Sequence, residues 1–161
     1  MIYVIVGVSG SGKTAVGRAL AERLGLPFYD ADDFHPPANV AKMSGGVPLE
    51  DADREPWLRT LAGKIREWNA AGGAVLACSA LKEKYRQLLR QGGAVTFVFL
   101  EVSKELLAQR LRQRKGHFMP ASLLESQLAS LEVPTDALRV DGSGSVEAVV
   151  QCVLSALGAQ G

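Results

Sequence analysis

The run GVSGSGKT at residues 7–14 constrains the possible fold of this chain more than any other part of its sequence. The apolar segment 2–6 precedes the run, and a helical pattern with Val16, Leu20 and Leu24 on one side follows it. Glycine lets the backbone wrap tightly, so that several N–H groups point inward, and the helix N-terminus adds partial positive charge. The spacing G-x-x-x-x-G-K-[ST] therefore predicts a loop that binds the phosphates of a nucleotide, in preference to a plain glycine turn between strand and helix.

Two side chains at the end of this loop have predicted tasks of their own. The Lys13 ammonium can reach the β- and γ-phosphates of a nucleotide, and the Thr14 hydroxyl can hold Mg²⁺. We therefore predict that Lys13 is a catalytic residue and that Thr14 is a metal ligand. The residues predicted to contact the nucleotide are Gly7, Val8, Ser9, Gly10, Ser11, Gly12, Lys13 and Thr14.

Size and composition indicate a single domain over residues 1–161. The 161 residues are 47% hydrophobic, which is enough for one domain with its own core. A formal net charge of +1 argues against nucleic acid or a membrane as a partner, and no apolar stretch reaches transmembrane length. Cys78 and Cys152 form neither a metal-binding spacing nor a disulfide framework, and Cys78 is predicted to be a buried thiol. Because the first strand begins at once and leaves no room for a signal peptide, the cytoplasm is the expected compartment.

Apolar β-type segments alternate with amphipathic helical segments along the chain. The predicted strands are short and bounded by Gly, Pro or Asp, and they lie at 2–6, 27–29, 74–78, 95–100 and 138–140. The predicted helices cover 54–69, 82–91, 104–115 and 123–132, with a last helix after Ser145. This alternation predicts an α/β fold of three layers, with a parallel sheet covered on both faces and ligands beyond the C-terminal strand ends.

Four of these helices carry predicted capping residues at their start, and Ser103 and Ser145 are those of the helix at 104–115 and of the last helix. Asp53 is the predicted N-cap of the helix at 54–69. Pro56 would then lie in the first turn and cost little, because its missing N–H has no helical partner there. Ser122 and Glu125 form a predicted capping box for the helix at 123–132.

The segment FYDADDFHP at 28–36 places acidic residues where the second strand ends. Asp30 and Asp32 have the same parity along an extended chain, so both can point to one side, at the same edge as the phosphate loop. Phosphoryl transfer needs an acid near Mg²⁺ and another that accepts the proton of the acceptor hydroxyl. We therefore predict Asp30 as a metal ligand and Asp32 as a catalytic and substrate-binding residue, over a turn that is merely rich in Asp. His35 is predicted to order this turn through a ring N–H and to border the substrate.

Residues 42–54 have the pattern of a loop that leads into a helix. The doubled glycine at 45–46 indicates a backbone that bends or moves. Arg54 can grip a carboxylate with its planar guanidinium, and the alternative is an exposed member of the local Asp/Glu/Arg cluster. We predict Arg54 as a substrate contact.

Small residues follow the third strand in the segment ACSALK at 77–82. They allow a ligand to approach the backbone closely. Ser79 can donate a hydrogen bond and Lys82 can offer positive charge to that ligand. The alternative, a strand-to-helix turn with Ser79 as N-cap, is equally compatible with the sequence.

A basic helix end is followed by a Gly…Pro segment between residues 110 and 120. Arg110 and Arg114 are four residues apart, so they share one face of a helix. In a chain with a phosphate loop, this pattern favours a hinged lid at about 113–122 over a solvated run of charges. We predict that Arg110 binds the nucleotide and that Arg114 is a catalytic residue that meets the transferring phosphate.

Together these segments resemble the gluconokinases (gluconate kinases), which are related in fold to the shikimate kinases and nucleoside monophosphate kinases. The phosphate loop alone is shared by a far larger group of proteins, whereas the D-D-x-H-P and C-S-A-L-K strings discriminate strongly. The resemblance spans almost the whole chain. The matching stretches are GVSGSGKTAVG at 7–17, FYDADDFHP at 28–36, NVAKMSGGVPLEDADREPWL at 39–58, CSALKEKYR at 78–86, RKGHFM at 114–119 and LLESQLASLEVP at 123–134.

The resemblance implies ATP-dependent phosphorylation of D-gluconate at its 6-hydroxyl, with Mg²⁺ as cofactor, to give 6-phospho-D-gluconate and ADP. It also implies a five-stranded parallel sheet of order 2-3-1-4-5, a mobile lid, and homodimers. By the same resemblance Arg54 and Lys82 meet gluconate, while Arg110, Arg114 and His117 belong to the lid. The predicted substrate contacts are Asp32, His35, Arg54, Ser79, Lys82, His117 and Gln127.

Two other functions are compatible with parts of the sequence. The first is another small-molecule kinase of the same fold, acting on shikimate or on a nucleotide. A nucleotide acceptor would call for aromatic stacking and more base-edge donors than the segment 39–58 offers. The second is a non-catalytic ATP sensor that signals through the lid, and such a protein could lack Asp30, Asp32 or the lid arginines, all of which this chain keeps.

Overall fold

A sheet of five parallel strands lies at the centre of the computed structural model, which describes residues 1–8, 10–47, 49–113 and 121–160. The strands are β1 (Ile2–Val6), β2 (Phe28–Asp30), β3 (Ala74–Cys78), β4 (Val95–Glu101) and β5 (Leu138–Asp141). Their order is β2-β3-β1-β4-β5. Each strand lies within one residue of its predicted position, and the order implied by the family resemblance is confirmed.

The register of the sheet brings the C-terminal ends of its inner strands to one edge. Val6 of β1 pairs with Cys78 of β3 and with Phe99 of β4. On the other side of β3, Asp30 of β2 pairs with Ala77. Because the strands are parallel, the loops that follow β1, β2 and β3 leave the sheet side by side. The phosphate loop and the acidic turn therefore become neighbours, as the sequence predicts.

Helices cover both faces of the sheet and its C-terminal edge. In the described part of the chain they are α1 (Lys13–Leu24), α2 (Pro37–Ser44), α3 (Asp51–Ala70), α4 (Glu83–Arg90), α5 (Lys104–Gln113), α6 (Ala121–Ser130) and α7 (Val146–Gln160), with a 3₁₀ turn at Ala31–Phe34. Val16 and Leu20 of α1 pack with Val150 of α7 on one face of the sheet. Trp57 and Leu61 of α3 pack on the opposite face. This arrangement is the predicted three-layer architecture.

A smaller apolar cluster joins α5 and α6 to the loops at the C-terminal edge. Leu107 of α5 and Leu124 of α6 pack with Val8 of the phosphate loop and with Leu81, which follows β3. Leu107 is completely buried in this cluster. Both helices therefore border the same edge of the sheet as the phosphate loop.

The segment between the acidic turn and α3 is more helical than its sequence predicts. A loop is expected over 42–54, but α2 covers Pro37–Ser44 and α3 already begins at Asp51. Pro37 is the first residue of α2, where its fixed φ suits the helix and its missing N–H costs nothing. Helix α2 has only eight residues and is followed directly by the glycines at 45–46, so the turn signal of the glycines outweighs its short helical pattern.

The N-terminus of α3 is capped by Glu50, so the prediction of Asp53 as N-cap is wrong. The Asp53 carboxylate instead accepts a hydrogen bond from the Glu50 backbone N–H at 2.8 Å and completes a capping box. Pro56 consequently lies beyond the first turn and deprives the Ala52 carbonyl of its usual helical donor. In α6 the helix begins at Ala121, ahead of the predicted cap Ser122, whose side chain lies outside the described part of the structure.

Two expectations from composition concern the length of apolar helices and the state of the cysteines. None of the helices within the described residues combines the length and the apolarity needed to cross a bilayer. Cys78 is buried and Cys152 is exposed, both as free thiols, which confirms the prediction for Cys78. Burial raises the pKa of the Cys78 thiol to about 12, so it is not a nucleophile at neutral pH.

Replacing Gly92 by alanine should destabilise the protein, because α3 and the end of α4 approach each other too closely for a side chain. A Cβ at Gly92 would lie 2.2 Å from the Ala62 carbonyl oxygen. We expect the free energy of unfolding to fall by about 2 kcal/mol or more, as measured by urea-induced unfolding. Gly63→Ala is the matched control, since its Cβ would meet nothing within 4 Å and helix propensity should stabilise α3 slightly. Equal stability of the two variants would contradict this interpretation.

Candidate active site

A cavity of about 200 Å³ opens at the C-terminal ends of β1, β2 and β3. The phosphate loop, the acidic turn after β2 and the first turns of α3 all contribute to its wall. Lys13 and Asp32 both line it, so the predicted phosphate site and the predicted catalytic carboxylate face the same space. The lining residues are Gly10, Gly12, Lys13, Thr14, Asp30, Asp32, His35, Met43, Val47, Leu49, Arg54, Trp57, Ala77, Cys78, Ser79, Ser126, Gln127 and Ser130.

The phosphate loop has the backbone conformation that its glycines predict. Gly10 and Gly12 have φ angles of +85° and +96°, which side-chain-bearing residues rarely adopt. Helix α1 begins at Lys13, so its N-terminus directs partial positive charge at the cavity. The Lys13 ammonium donates a hydrogen bond to the Val8 carbonyl at 3.0 Å, which holds the side chain across the loop. Ser9, predicted to bind the nucleotide, lies outside the described residues.

Thr14 and Asp30, the two oxygen ligands that the sequence predicts for a metal, are in contact. The Thr14 hydroxyl donates a hydrogen bond to the Asp30 carboxylate at 3.2 Å, and both residues line the cavity. Mg²⁺ in kinases is held by one or two protein oxygens together with phosphates and water. A hydroxyl and a carboxylate in contact beside a phosphate loop therefore fit Mg²⁺ in its donor chemistry.

Asp32 reaches the cavity by a different route from the one that its sequence suggests. The parity argument assumes an extended chain, but β2 ends at Asp30 and residues 31–34 form a 3₁₀ turn. The Asp30 carboxylate accepts a hydrogen bond from the Asp32 backbone N–H at 3.0 Å and caps this turn. The 3₁₀ turn, and not an extended chain, therefore brings both acids to the cavity. Asp30 also caps this turn, so the alternative interpretation of Asp as a capping residue is correct for Asp30 as well.

The charged form of Asp32 is favoured by its neighbours. The His35 imidazole and, less strongly, the Lys13 ammonium hold the pKa of Asp32 below its usual range, against a partial desolvation of a side chain that is still 70% exposed. The His35 Nε2 atom lies 3.7 Å from the Asp32 carboxylate. Asp32 is therefore a carboxylate throughout the neutral range and can act as a hydrogen-bond acceptor for a hydroxyl group.

His35 is held in one orientation by two residues on helices α2 and α3. The Asn39 amide donates both to His35 Nδ1, at 3.1 Å, and to the Asp53 carbonyl, at 2.8 Å. Because an amide nitrogen only donates, Nδ1 is the acceptor and the ring proton is on Nε2, which faces Asp32. The His35 ring also stacks on Trp57 with 4.0 Å between ring centroids. Sequence reasoning missed Asn39, although the polar residue in an otherwise apolar stretch is a detectable signal.

Arg54 lies in the first turn of α3 and lines the cavity. Its Nη1 atom donates to the Leu49 carbonyl at 2.6 Å and to the Tyr85 hydroxyl at 3.2 Å. These contacts hold the guanidinium in place, in contrast to the alternative of a solvated surface arginine. Arg54 is therefore placed where a ligand carboxylate in the cavity could be bound.

The loop after β3 contributes Ser79 but not Lys82 to the lining of the cavity. Lys82 instead lies 3.7 Å from the Asp51 carboxylate. Helix α4 begins at Glu83 and its N-cap is Lys82, so Ser79 lies three residues too early to be the cap. Of the two interpretations of Ser79, the capping one is wrong, whereas Ser79 and Lys82 as substrate contacts stay predictions.

Gln127 lies in the cavity wall between Ser126 and Ser130, which sequence reasoning did not single out. All three belong to α6, and the segment after this helix is tied to the β3–α4 loop. The Glu132 backbone N–H donates to the Leu81 carbonyl at 2.7 Å, and buried Arg86 donates to the Glu132 carbonyl at 2.8 Å. These bonds bring a row of hydroxyl and amide groups to the cavity.

Arg110 reaches back from α5 to the phosphate loop. Its guanidinium donates to the Gly10 carbonyl at 2.9 Å and to the Gly142 carbonyl at 2.7 Å. A second, more open cavity at this point is lined by the loop, by Arg110 and by residues 142 and 144–146. Arg110 thus lies beside the predicted nucleotide site, as expected, whereas Arg114, His117 and most of the predicted lid lie outside the described residues.

Comparisons with known proteins agree with this geometry. A family model described as shikimate kinase matches residues 9–153. A gluconokinase from Gluconobacter oxydans (strain 621H) is 54% identical over 153 residues, which cover 92% of this chain and 86% of that protein. A probable gluconokinase from Xenopus tropicalis is 50% identical over 152 residues, covering 84% of this chain and 80% of that protein. The chain belongs to the gluconokinases of the shikimate kinase family.

A solved gluconokinase structure has nearly the same fold. The crystal structure of a gluconokinase from Sinorhizobium meliloti 1021 matches with a TM-score of 0.90 and 44% identity, covering 98% of this chain and 91% of that one. Membership in this family makes the chain an enzyme, a phosphotransferase that uses ATP and an alcohol acceptor. The family resemblance inferred from the motifs is thereby confirmed, whereas the roles of individual residues of the chain stay predictions.

Proposed function

We propose that the chain transfers the γ-phosphoryl group of ATP to the 6-hydroxyl of D-gluconate and produces 6-phospho-D-gluconate and ADP. The observation that carries this proposal is one cavity that is lined by Lys13 of the phosphate loop, by the carboxylate of Asp32 and by Arg54. These groups supply a phosphate site, an acceptor for a hydroxyl proton and a cation for a carboxylate. The names of the related gluconokinases support the choice of substrate.

The nucleotide triphosphate lies along the phosphate loop in this proposal. The loop N–H groups and the N-terminus of α1 hold the phosphate oxygens, and Lys13 offsets the charge on the group that is transferred. Thr14 and Asp30 would hold Mg²⁺, which supplies further neutralisation of phosphate charge when it is bound. Arg110 and residues 142 and 144–146 would meet the nucleoside side of the nucleotide, a role supported by the cavity that they line beside the loop. The lid residues Arg114 and His117 would close over the site.

Asp32 accepts the proton of the attacking hydroxyl. His35 and Lys13 favour its charged form, so it is a weak base that accepts a hydrogen bond before it accepts the proton. A weak base is adequate because phosphoryl transfer has a loose transition state and depends chiefly on positioning and electrostatics. The Nε2–H group of His35, 3.7 Å from one oxygen of Asp32, favours the charged carboxylate that accepts the proton.

The acceptor occupies the part of the cavity away from the phosphate loop. Arg54 binds its carboxylate, and the hydroxyl-bearing chain lies along Ser79, Gln127 and the two serines of α6. A linear chain with a hydroxyl group on most carbons matches a wall with several small polar side chains. Shikimate or a nucleotide would place a ring there instead.

We further propose that the chain acts as a single cytoplasmic domain on small molecules, without nucleic acid, and that it forms homodimers. The two free cysteines and the formal net charge of +1 support the compartment and the absence of nucleic acid. The homodimer rests on the family resemblance. Light scattering after size exclusion will measure the mass, which is 17.1 kDa for one chain.

Replacing Arg54 by alanine should raise the KM for gluconate about 10- to 100-fold, because a charge-assisted contact to the carboxylate is lost. The KM for ATP should change less than about threefold, since Arg54 belongs to α3 and is not part of the phosphate loop. Arg59→Ala is the matched control, because Arg59 lies on the same helix, is exposed and pairs only at the surface with Glu55. An equal effect of Arg54→Ala on both KM values would argue against a carboxylate clamp.

The substrate is tested by a screen of acceptors. ADP release should be measured with gluconate, other sugar acids, shikimate and nucleoside monophosphates, and the product should be analysed for the position of the phosphate. We expect the highest kcat/KM with gluconate and phosphate on O6. Faster turnover with shikimate or a nucleotide would reassign the acceptor, and ATP binding without turnover on any acceptor would favour the sensor alternative.

A further inference from the structure

The guanidinium of Arg54 is used on one side only by the described part of the protein. Its Nη1 atom donates to the Leu49 carbonyl and to the Tyr85 hydroxyl. Within the described ranges, no hydrogen-bond acceptor is found for its Nε and Nη2 atoms. These two atoms form the edge that binds a carboxylate through two parallel hydrogen bonds. Whatever holds Nη1 therefore decides where that edge points.

Tyr85 is the side chain that holds Nη1. It belongs to α4, is only 3% exposed, and packs by its ring in the core cluster beneath α3. Its hydroxyl donates a hydrogen bond to the Asp51 carboxylate and accepts one from Arg54. A hydroxyl has a single proton, so the bond to Asp51 commits that proton and leaves a lone pair for Arg54.

The direction of this hydrogen-bond chain is fixed by charge. Asp51 also pairs with Lys84 and, at 3.7 Å, with Lys82, and the contacts to Lys84 and Tyr85 lower the pKa of Asp51 to about 2. Burial and the Asp51 carboxylate raise the pKa of Tyr85 to about 12. The carboxylate is therefore charged and the phenol is protonated at neutral pH, so Tyr85 always donates to Asp51 and always accepts from Arg54.

We propose that Tyr85, anchored by Asp51, is a positioning residue that turns the Nε–Nη2 edge of Arg54 toward the acceptor carboxylate. This inference deepens the proposed function and rests on it, because it assumes that Arg54 binds the carboxylate of gluconate. Tyr85 does not touch the substrate and acts through Arg54. The lysines around Asp51 set the charge of the anchor, which is the role that the contacts of Lys82 indicate.

The test is Tyr85→Phe, which removes one hydroxyl and keeps the ring in the core. The KM for gluconate should rise about 3- to 10-fold, because a neutral hydrogen bond that orients Arg54 is lost. The KM for ATP and kcat should stay within about twofold, because neither depends on the orientation of Arg54. Tyr3→Phe is the matched control, since Tyr3 lies in β1 away from the cavity, and all its constants should match the wild type.

A double variant separates positioning from packing. In an Arg54→Ala background, Tyr85→Phe should leave the KM for gluconate unchanged, because there is no guanidinium left to orient. If Tyr85→Phe multiplies KM in that background as it does alone, or raises the KM for ATP equally, the positioning role is overturned. An unchanged KM for gluconate in Tyr85→Phe alone would also overturn it.

Asp51→Ala provides a second route to the same answer if Tyr85→Phe folds poorly. The Asp51 side chain is 48% exposed, so its removal should leave the core intact. We expect a similar rise in the KM for gluconate, because the Tyr85 hydroxyl loses its acceptor. An unchanged KM would overturn the role of Asp51 as the anchor of Tyr85.

The Arg54→Ala single variant distinguishes failure of this inference from failure of the proposed function. If Arg54→Ala raises only the KM for gluconate while Tyr85→Phe changes neither KM, only the positioning role of Tyr85 is refuted. If Arg54→Ala raises both KM values equally, the carboxylate clamp itself is refuted.

Discussion

Replacing Lys13 by alanine should lower kcat on the order of 10²-fold or more, because phosphoryl transfer depends on electrostatic stabilisation of the charge on the transferred group. Lys13 lies at the N-terminus of α1, lines the cavity and is held across the loop by the Val8 carbonyl. No other group on the loop supplies a full positive charge at that point. Steady-state ADP release at saturating ATP and gluconate measures the effect.

The control for this variant must remove a positive charge from the same helix without touching the cavity. Arg18→Ala does so, because Arg18 is an exposed residue of α1 whose guanidinium lies over the Phe28 ring, 5.2 Å from its centroid. We expect near-normal turnover for Arg18→Ala. A thermal unfolding curve for each variant checks that the fold is kept. Near-normal kcat in Lys13→Ala would refute the assignment of the phosphate loop as the catalytic site.

Replacing Asp32 by asparagine should lower kcat by roughly 10²- to 10⁴-fold, the range associated with a positioned general base. The amide keeps the shape of the side chain but cannot take the proton of the attacking hydroxyl. Nucleotide affinity, measured by calorimetric titration with ATP, should change little, because Thr14 and the loop keep their contacts. Full activity of the variant would remove Asp32 from the role of base.

The adjacent residue offers a matched control, since Asp33→Asn makes the same change of charge one position along. Asp33 is exposed and does not line the cavity, so the kcat of the Asp33→Asn variant should be close to that of the wild type.

The pH dependence of the Asp32→Asn variant is a second check. Because the pKa of Asp32 is lowered, its basic form persists as the pH falls from 8 to 6. The loss of activity in Asp32→Asn should therefore be the same at both pH values.

The sequence predicts the parts of this protein that depend on local patterns. The glycines and the Lys-Thr pair at 7–14 define a backbone and its chemistry within eight residues, and the strands are apolar segments bounded by turn signals. The order of the strands came from the family resemblance, since spacing alone does not say which parallel strands become neighbours. The short helix α2 was missed because its eight residues include turn-forming ones.

The candidate site was predictable to the extent that its residues follow strand ends. Asp30, Asp32 and Ser79 could be selected because the C-terminal ends of parallel strands meet at one edge. The same reasoning selected Lys82, but Lys82 turns toward Asp51 rather than into the cavity. Direction of a side chain depends on its neighbours in space, and these are distant along the chain.

The amino-acid pattern of this chain is sufficient for its phosphate site, its layered fold and its enzyme class, because each follows from residues close together in sequence. The orientation of the groups that we propose to meet the acceptor depends on packing between separate helices, which only the tertiary structure shows. Asn39 and Trp57 orient His35, and Tyr85 holds Arg54 across 31 positions of the chain. A hydrogen bond forms only when its two partners lie within about 3 Å of each other. Packing of the folded core brings residues that are distant in sequence to that distance.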